Sequence, residues 1–292
     1  MSRPVRGGGN DVEQVTPVVA GHGEGPVWCP AEQRLCWVDL LAGDLLSYDP
    51  VTGGIGRRHV ADVLAALRPR AGGGLVAAVG RGFALLTDDT VELLPEVWSD
   101  PSVRMNDGGC DPLGRFWCGS MAYDAAPGRG ALYRLDPDRS VHTVLTGVTV
   151  SNGLAWTRDG RTAYYVDSAT RRVDAFCFDP TSGELADRRP VVTVPPEAGL
   201  PDGLCVDADG GIWVALWDGG AVRRYTPDGR LSAVVELPVA RPTACTFGGP
   251  GYADLYVTTS RQGLPADDPA PAGALFRVRP GVTGFAPLPF AG

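Results

Sequence analysis

The sequence predicts an all-β protein folded as a six-bladed β-propeller, on three observations. One phrase recurs along the 292 residues at intervals of roughly 38 to 50 residues. Each copy consists of short β-rich runs joined by turns that contain Gly or Pro. No copy carries a long amphipathic helical pattern.

The phrase is clearest in NDGGCDPLGRFW, which begins at Asn106, and in DGLCVDADGGIW, which begins at Asp202. In both, an Asp lies five places on (Asp111, Asp207), a Gly eight places on (Gly114, Gly210) and a Trp eleven places on (Trp117, Trp213). A third copy, SNGLAWTRDGRTAYYVDS, has Asn152 in the leading place, followed by Gly160 and Tyr164. A fourth, GEGPVWCPAEQRLCWVD, is led by Glu24 and reaches Trp37. Weaker copies start near Arg68 and Arg241. Several strands per repeat and six repeats select a propeller over a solenoid, with an open β array or a pair of sandwiches as the alternative. YDPVTG, LDPD, FDPTSG and YTPDG read as hairpin connections, Pro setting φ and Gly supplying φ > 0.

QVTPVVAG, residues 14–21, is a lone β-like run before the first copy, and GALFRVRPGVTGFAPL has no complete blade after it. The expectation is that the first strand pairs into the last blade and closes the ring, which removes an exposed edge. The domain reading is therefore a flexible tail over 1–13 and a single propeller over 14–292.

Composition narrows the function classes. The formal net charge is −8, against which a phosphate backbone is an unexpected partner. All 26 basic residues are Arg, so Schiff-base and P-loop lysine chemistry are excluded. Seven cysteines with no C-x-x-C read as free, buried thiols in a reducing compartment. The run MSRPVRGGGNDVEQ has no secretory apolar segment, and no apolar run approaches membrane-span length. A cytoplasmic protein with neither a nucleic-acid nor a membrane partner is expected. No G-x-S-x-G elbow is present, and GGG at 7–9 and 72–74 reads as turns. The seven tryptophans read mostly as core.

In a propeller the innermost strand of each blade lines a central channel, so equivalent positions of successive repeats converge. The leading residues Glu24, Asn106, Asn152 and Asp202 then form a ring of oxygen donors, two of them carboxylates. Two acids in one confined channel repel unless a cation lies between them. Oxygen ligation suits Ca²⁺ first, with Mg²⁺ and Mn²⁺ as rivals; Zn²⁺ usually takes His or Cys, and of three His only His22 is near a repeat start. The plain alternative is that Asn and Asp serve as turn formers at strand starts.

Four motifs, GEGPVW at 23–28, RMNDGGCDPLGRFWCGSM at 104–121, SNGLAW at 151–156 and PDGLCVD at 201–207, carry a resemblance. In this order and spacing the chain resembles the gluconolactonase, regucalcin and senescence-marker-protein family of six-bladed propellers, from about residue 14 to 280. The resemblance implies a metal held by Glu24, Asn152 and Asp202, with Ca²⁺ foremost and Zn²⁺, Mn²⁺ or Mg²⁺ as alternatives. It implies substrate contacts from Arg104, Asn106 and an acid after the G-S-M motif. That acid is Asp124 here, one methylene shorter than the family's Glu, with Tyr123 beside it. The activity implied is metal-dependent opening of a sugar (aldono-)lactone to the sugar acid. The metal would polarise the lactone carbonyl, and Asp202 would deprotonate or orient the attacking water. The same cup would also serve a phosphotriesterase or another esterase, or a propeller that binds calcium or a metabolite without turnover. The expected partner is a small sugar lactone, and the expected state a monomer or small homo-oligomer.

Overall fold

The computed structural model describes residues 12–268 and 270–292. It contains six four-stranded antiparallel sheets arranged as blades around one axis. Blade 1 comprises Gly23–Cys29, Arg34–Asp39, Asp44–Tyr48 and Ile55–His59. Blade 2 comprises Leu64–Pro69, Leu75–Val79, Gly82–Leu86 and Val91–Leu93. Blade 3 comprises Val103–Cys110, Phe116–Ala122, Gly130–Leu135 and Val141–Val148. Blade 4 comprises Ser151–Trp156, Thr162–Asp167, Arg172–Phe178 and Leu185–Thr193. Blade 5 comprises Leu200–Val206, Ile212–Trp217, Ala221–Tyr225 and Leu231–Glu236. Blade 6 comprises Pro242–Gly248, Asp254–Thr259 and Phe276–Val278, and its outer strand is Glu13–Gln14 from the other end of the chain.

The ring therefore closes by the expected pairing, with a shorter strand than 14–21. Glu13 pairs with Arg277 and Gln14 with Phe276, and an ion pair of 2.6 Å joins Arg277 to Glu13. Val15 and Ala20 still donate to Leu275 and Gly273 carbonyls, so the run follows the last blade without continuing as a strand. Residues 1–11 of the expected tail, with the first GGG, lie outside the described residues. The repeat start placed near Arg68 is corrected: the inner strand of blade 2 begins at Leu64, and Arg68 is near its end. The second GGG, 72–74, is a turn. All seven cysteines are free, but Cys177 is exposed and Cys205 half-buried, against the expectation of uniform burial.

The internal Asp of the phrase is a clamp at the turn after the inner strand. Asp207 Oδ1 accepts the Asp209 and Gly211 amides, while Oδ2 accepts Trp213 Nε1 at 2.8 Å and Arg224 Nε at 2.6 Å. Asp111 does the same with the Leu113 and Arg115 amides, Arg115 Nε and Trp117 Nε1. Spacing of five and eleven thus brings one carboxylate to both a tight turn and the buried indole that packs against the neighbouring blade. Trp117 meets Trp156 of blade 4 at 5.7 Å, Trp213 meets Phe247 of blade 6 at 5.9 Å, and Trp28 stacks on Tyr256 across the closure at 6.2 Å.

Every inner strand carries a one-residue register shift against its neighbour. The shifts fall at Glu24/Val27, Leu64/Ala66, Met105/Gly108, Ser151/Leu154, Pro201/Leu204 and Pro242/Ala244. A bulge re-aims the side chains beside it. Here it separates a polar upper channel from an apolar lower one, where Val27, Leu154, Leu204 and Phe247 are buried. After the last strand the chain becomes a strap across the lower end. Ala208 donates to Thr283, Gly284 to Tyr252, Phe290 to Pro69 and Ala291 to Gly114, so the strap touches blades 5, 6, 2 and 3. Phe290 is fully buried. No helix among the described residues is long and apolar enough to cross a membrane.

Candidate metal and substrate site

The bulges of blades 1, 3, 4 and 5 present Glu24, Asn106, Asn152 and Asp202 near the upper ends of the inner strands. Their registers differ by one residue: Asn106, Asn152 and Asp202 lie within the shift, and Glu24 immediately before it. Gly25 follows Glu24 with φ +52, a conformation that disfavours any side chain. Gly203 follows Asp202 where an added Cβ would lie 2.8 Å from Ala244 Cα of blade 6. The glycines that follow these acids are thus required by backbone shape at the one and by blade-to-blade approach at the other.

Glu24, Asn152 and Asp202 are 4%, 6% and 5% exposed. Among the described residues Glu24 Oε2 accepts only the Gly25 amide, at 3.1 Å. No Arg or His forms an ion pair with Glu24, Asp107 or Asp202 among the described residues. Burial foremost, with the charge of Asp107 added, pushes the Glu24 carboxyl up to about 8. Burial, then Glu24 and Asp107, hold Asp202 well above the usual carboxylate range. Asp107 is raised too, by burial, with Arg68 opposing. The sequence showed Asp107 only as the acid after Asn106; its part in this crowding follows from the bulge, which no spacing rule reveals.

The amides are oriented by a chain of hydrogen bonds. The Ser168 hydroxyl donates to the Pro201 carbonyl at 2.6 Å and accepts from Asn152 Nδ2 at 2.7 Å. That leaves Asn152 Oδ1 facing Asn106, whose Nδ2 donates to it at 2.8 Å and to the Ser151 carbonyl at 2.7 Å. Asn106 Oδ1 in turn accepts Arg104 Nη1 at 2.6 Å. Ser168 went unnoticed in the sequence; the signal was the YVDS that ends the second strand of blade 4, directly before its turn.

Arg104 is 4% exposed, and its Nε has no partner. Burial lowers its guanidinium pKa, while Tyr123, Glu24 and Asp202 raise it. The Tyr123 ring lies 5.6 Å from the guanidinium carbon and is 54% exposed at the rim. Asp124 is exposed beside it, its Oδ1 accepting the Ala126 amide at 3.0 Å in a local turn. The structure thus joins Arg104, Asn106 and Asn152 directly and sets Glu24 and Asp202 within electrostatic reach. Asp124 it leaves on the rim, with no hydrogen bond to the others among the described residues.

No three His, Cys, Asp or Glu side chains gather as a metal cluster among the described residues. The available cup is two acids and one amide oxygen. This donor set fits a hard divalent cation, because two buried carboxylates lack any basic partner and the amide oxygen is held in place from behind. His22, directly before the strand that carries Glu24, is neutral: burial, then Arg104, lowers its pKa to about 3.

Residues 22–261 match the family described as SMP-30/gluconolactonase/LRE-like region. Regucalcin from Oryctolagus cuniculus is 37% identical over 294 residues, covering 96% of this chain and 98% of the relative. The solved structure of a luciferin-regenerating enzyme is similar with a TM-score of 0.91 at 31% identity, covering 97% of this chain and 100% of that one. That of a calcium-binding protein, regucalcin, from Agrobacterium tumefaciens gives 0.90 at 28%, covering 97% and 98%. The six blades and the motifs at Glu24, Arg104, Asn152 and Asp202 thus have one origin: the chain belongs to the SMP-30/gluconolactonase/LRE-like family.

Proposed function

We propose that the protein is a divalent-cation-dependent hydrolase that opens a sugar lactone to its hydroxy acid. The observation that carries this reading is the pairing of buried, unneutralised acids with a buried Arg104 whose Nε is unpartnered, in one channel mouth. Glu24, Asn152 and Asp202 hold the cation, which when bound supplies Lewis-acid polarisation of a carbonyl. Calcium is the first candidate, in keeping with the calcium-binding description of the Agrobacterium relative.

The remaining steps belong to the chain's own groups. Arg104 has donors left over for the lactone's oxygens. Asn106 has spent both amide hydrogens, so its one contribution is a lone pair on Oδ1 for a substrate hydroxyl. Asp202 orients the attacking water and takes its proton as the new C–O bond forms, then returns that proton to the ring oxygen as the acyl–oxygen bond breaks. Asp124 keeps the Ala126 amide on Oδ1 and offers Oδ2 to a substrate hydroxyl at the rim. Every residue named in the site comes from one chain, and a monomer is the working unit of this proposal.

The test is hydrolysis of a panel of aldonolactones, followed by acid release, on protein stripped with chelator and resupplied with Ca²⁺, Mn²⁺, Mg²⁺ or Zn²⁺. Cation-restored turnover on a sugar lactone is expected. Cation binding without turnover on any lactone would overturn the reading in favour of a phosphotriester substrate or of binding alone.

A further inference from the structure

We propose that His22 is a substrate-binding residue of this channel, its Nε2–H donating a hydrogen bond to a hydroxyl of the sugar lactone. This deepens the lactonase reading and rests on it.

His22 stands two residues before Glu24, and its backbone bridges to Ser260 of blade 6. That bridge extends the strand Gly23–Cys29 backward by one residue, and residues two apart in extended chain share a face, so His22 and Glu24 are both set toward the channel, His22 one layer nearer the mouth. Arg104 and Asn106 are stacked in the same way on blade 3. The His22 backbone is pinned: its amide donates to Asp39 Oδ1 at 2.9 Å, and its carbonyl accepts the Leu40 amide at 2.9 Å. The side chain is pinned as well, its ring meeting Trp217 edge-on at 5.9 Å. The residue is 6% exposed.

The tautomer follows from Ser260. His22 Nδ1 lies 2.7 Å from Ser260 Oγ. That oxygen already accepts the Gln262 amide at 3.0 Å, and its own hydrogen has no other acceptor among the described residues. The hydroxyl therefore donates to Nδ1, which places the ring hydrogen on Nε2. Nε2 has no hydrogen-bond partner among the described residues. An immobilised donor on a largely buried residue, without a partner among the described residues and two residues from Glu24, suits a polyhydroxylated ring. An apolar lactone would leave this donor unpaired, so the residue selects for a hydroxylated substrate.

The experiment compares wild type, His22→Phe, His22→Gln and Ser260→Ala on the aldonolactone that wild type hydrolyses. Long-range ¹H–¹⁵N spectra of the imidazoles are recorded with the corresponding sugar lactam as a non-hydrolysed probe. With three histidines in the chain, His22 is assigned by its loss in a variant. His22→Phe keeps the ring against Trp217 and should raise KM about tenfold, the size of one hydrogen bond, with kcat within about twofold. His22→Gln should recover most of that loss. Wild-type His22 should show the Nε2–H tautomer, and its Nε2 signal should move on lactam addition. Calcium affinity by calorimetry should be unchanged in His22→Phe.

A wild-type KM in His22→Phe, an unmoved Nε2 signal at lactam saturation, or weakened calcium binding in His22→Phe each overturns the assignment while leaving the lactonase reading standing. A wild type that neither hydrolyses lactones nor binds the lactam overturns both.

Discussion

Asn106 donates an amide hydrogen to Asn152 Oδ1 at 2.8 Å, and this bond joins the arginine side of the channel mouth to the side that carries the unpaired acids Glu24 and Asp202. Through it, one continuous chain runs from Arg104 through Asn106, Asn152 and Ser168 to the Pro201 carbonyl, next to Asp202. Three blades therefore share one orientation of polar groups.

Ser168 acts from behind Asn152. Ser168→Ala should leave the fold intact, as read by circular dichroism, and weaken calcium binding about 10- to 100-fold in calorimetry. An unaltered affinity would mean that Asn106 alone orients the Asn152 amide.

Asp202→Ala should abolish cation-restored lactone hydrolysis while the propeller survives. The metal-free variant should melt no lower than metal-free wild type, because it loses a buried carboxylate with no cationic partner. Activity retained in this variant would remove Asp202 from the reaction.

The raised carboxyls make a specific forecast for the chelated protein. An unfolded Glu ionises near 4.5, whereas Glu24 in the folded chain does so at about 8. Between those values the native state holds the extra proton, so stability falls as pH rises from about 4.5 to about 8 and then levels off. Asp202 and Asp107, also raised, act in the same direction. Melting temperatures of chelated protein should therefore decline between pH 5.5 and 8.5, and saturating calcium should remove most of the decline. Glu24→Gln should flatten the chelated curve. A chelated protein that gains stability over this window contradicts the assignment.

The repeated Asp clamp is testable apart from function. Asp207→Ala strands Trp213 Nε1 and Arg224 in a buried turn and should cost about 3 kcal/mol or more in denaturant titration. Asp228→Ala, which breaks an exposed pair with Arg230, should leave the midpoint in place.

The sequence disclosed the channel residues because the period is set by chemistry that must recur: a turn-clamping Asp, a packed Trp and a Gly that admits a neighbour's backbone. Glu24, Asn106, Asn152 and Asp202 were legible as channel residues for that reason, as was the closure of the ring. The start of blade 2 was misplaced because Ala65 sits where the other blades carry a polar residue, so the first visible landmark was Arg68. Asp107 and Ser168 were not legible, since their importance depends on bulge geometry and on a contact from Ser168 to Pro201 across two blades. Asp124 matched its motif by spacing alone, and the structure gives it a turn amide as its partner. The strap had no periodicity to betray it.

That strap lies across the lower end of the channel, where Phe285, Pro287 and Leu288 line a cavity with Val27, Leu154, Leu204 and Phe247. On the proposed function, cation, lactone and sugar acid would all pass the rim of Arg104, Tyr123 and His22, because Phe285, Pro287 and Leu288 lie under the far end. Traffic through such a well is ordered by depth. A cation held by Glu24, Asn152 and Asp202 would load before a substrate above it and depart only after product has gone. Bound sugar acid should therefore shield the cation from a chelator, so that resistance to stripping reports occupancy of the layer above.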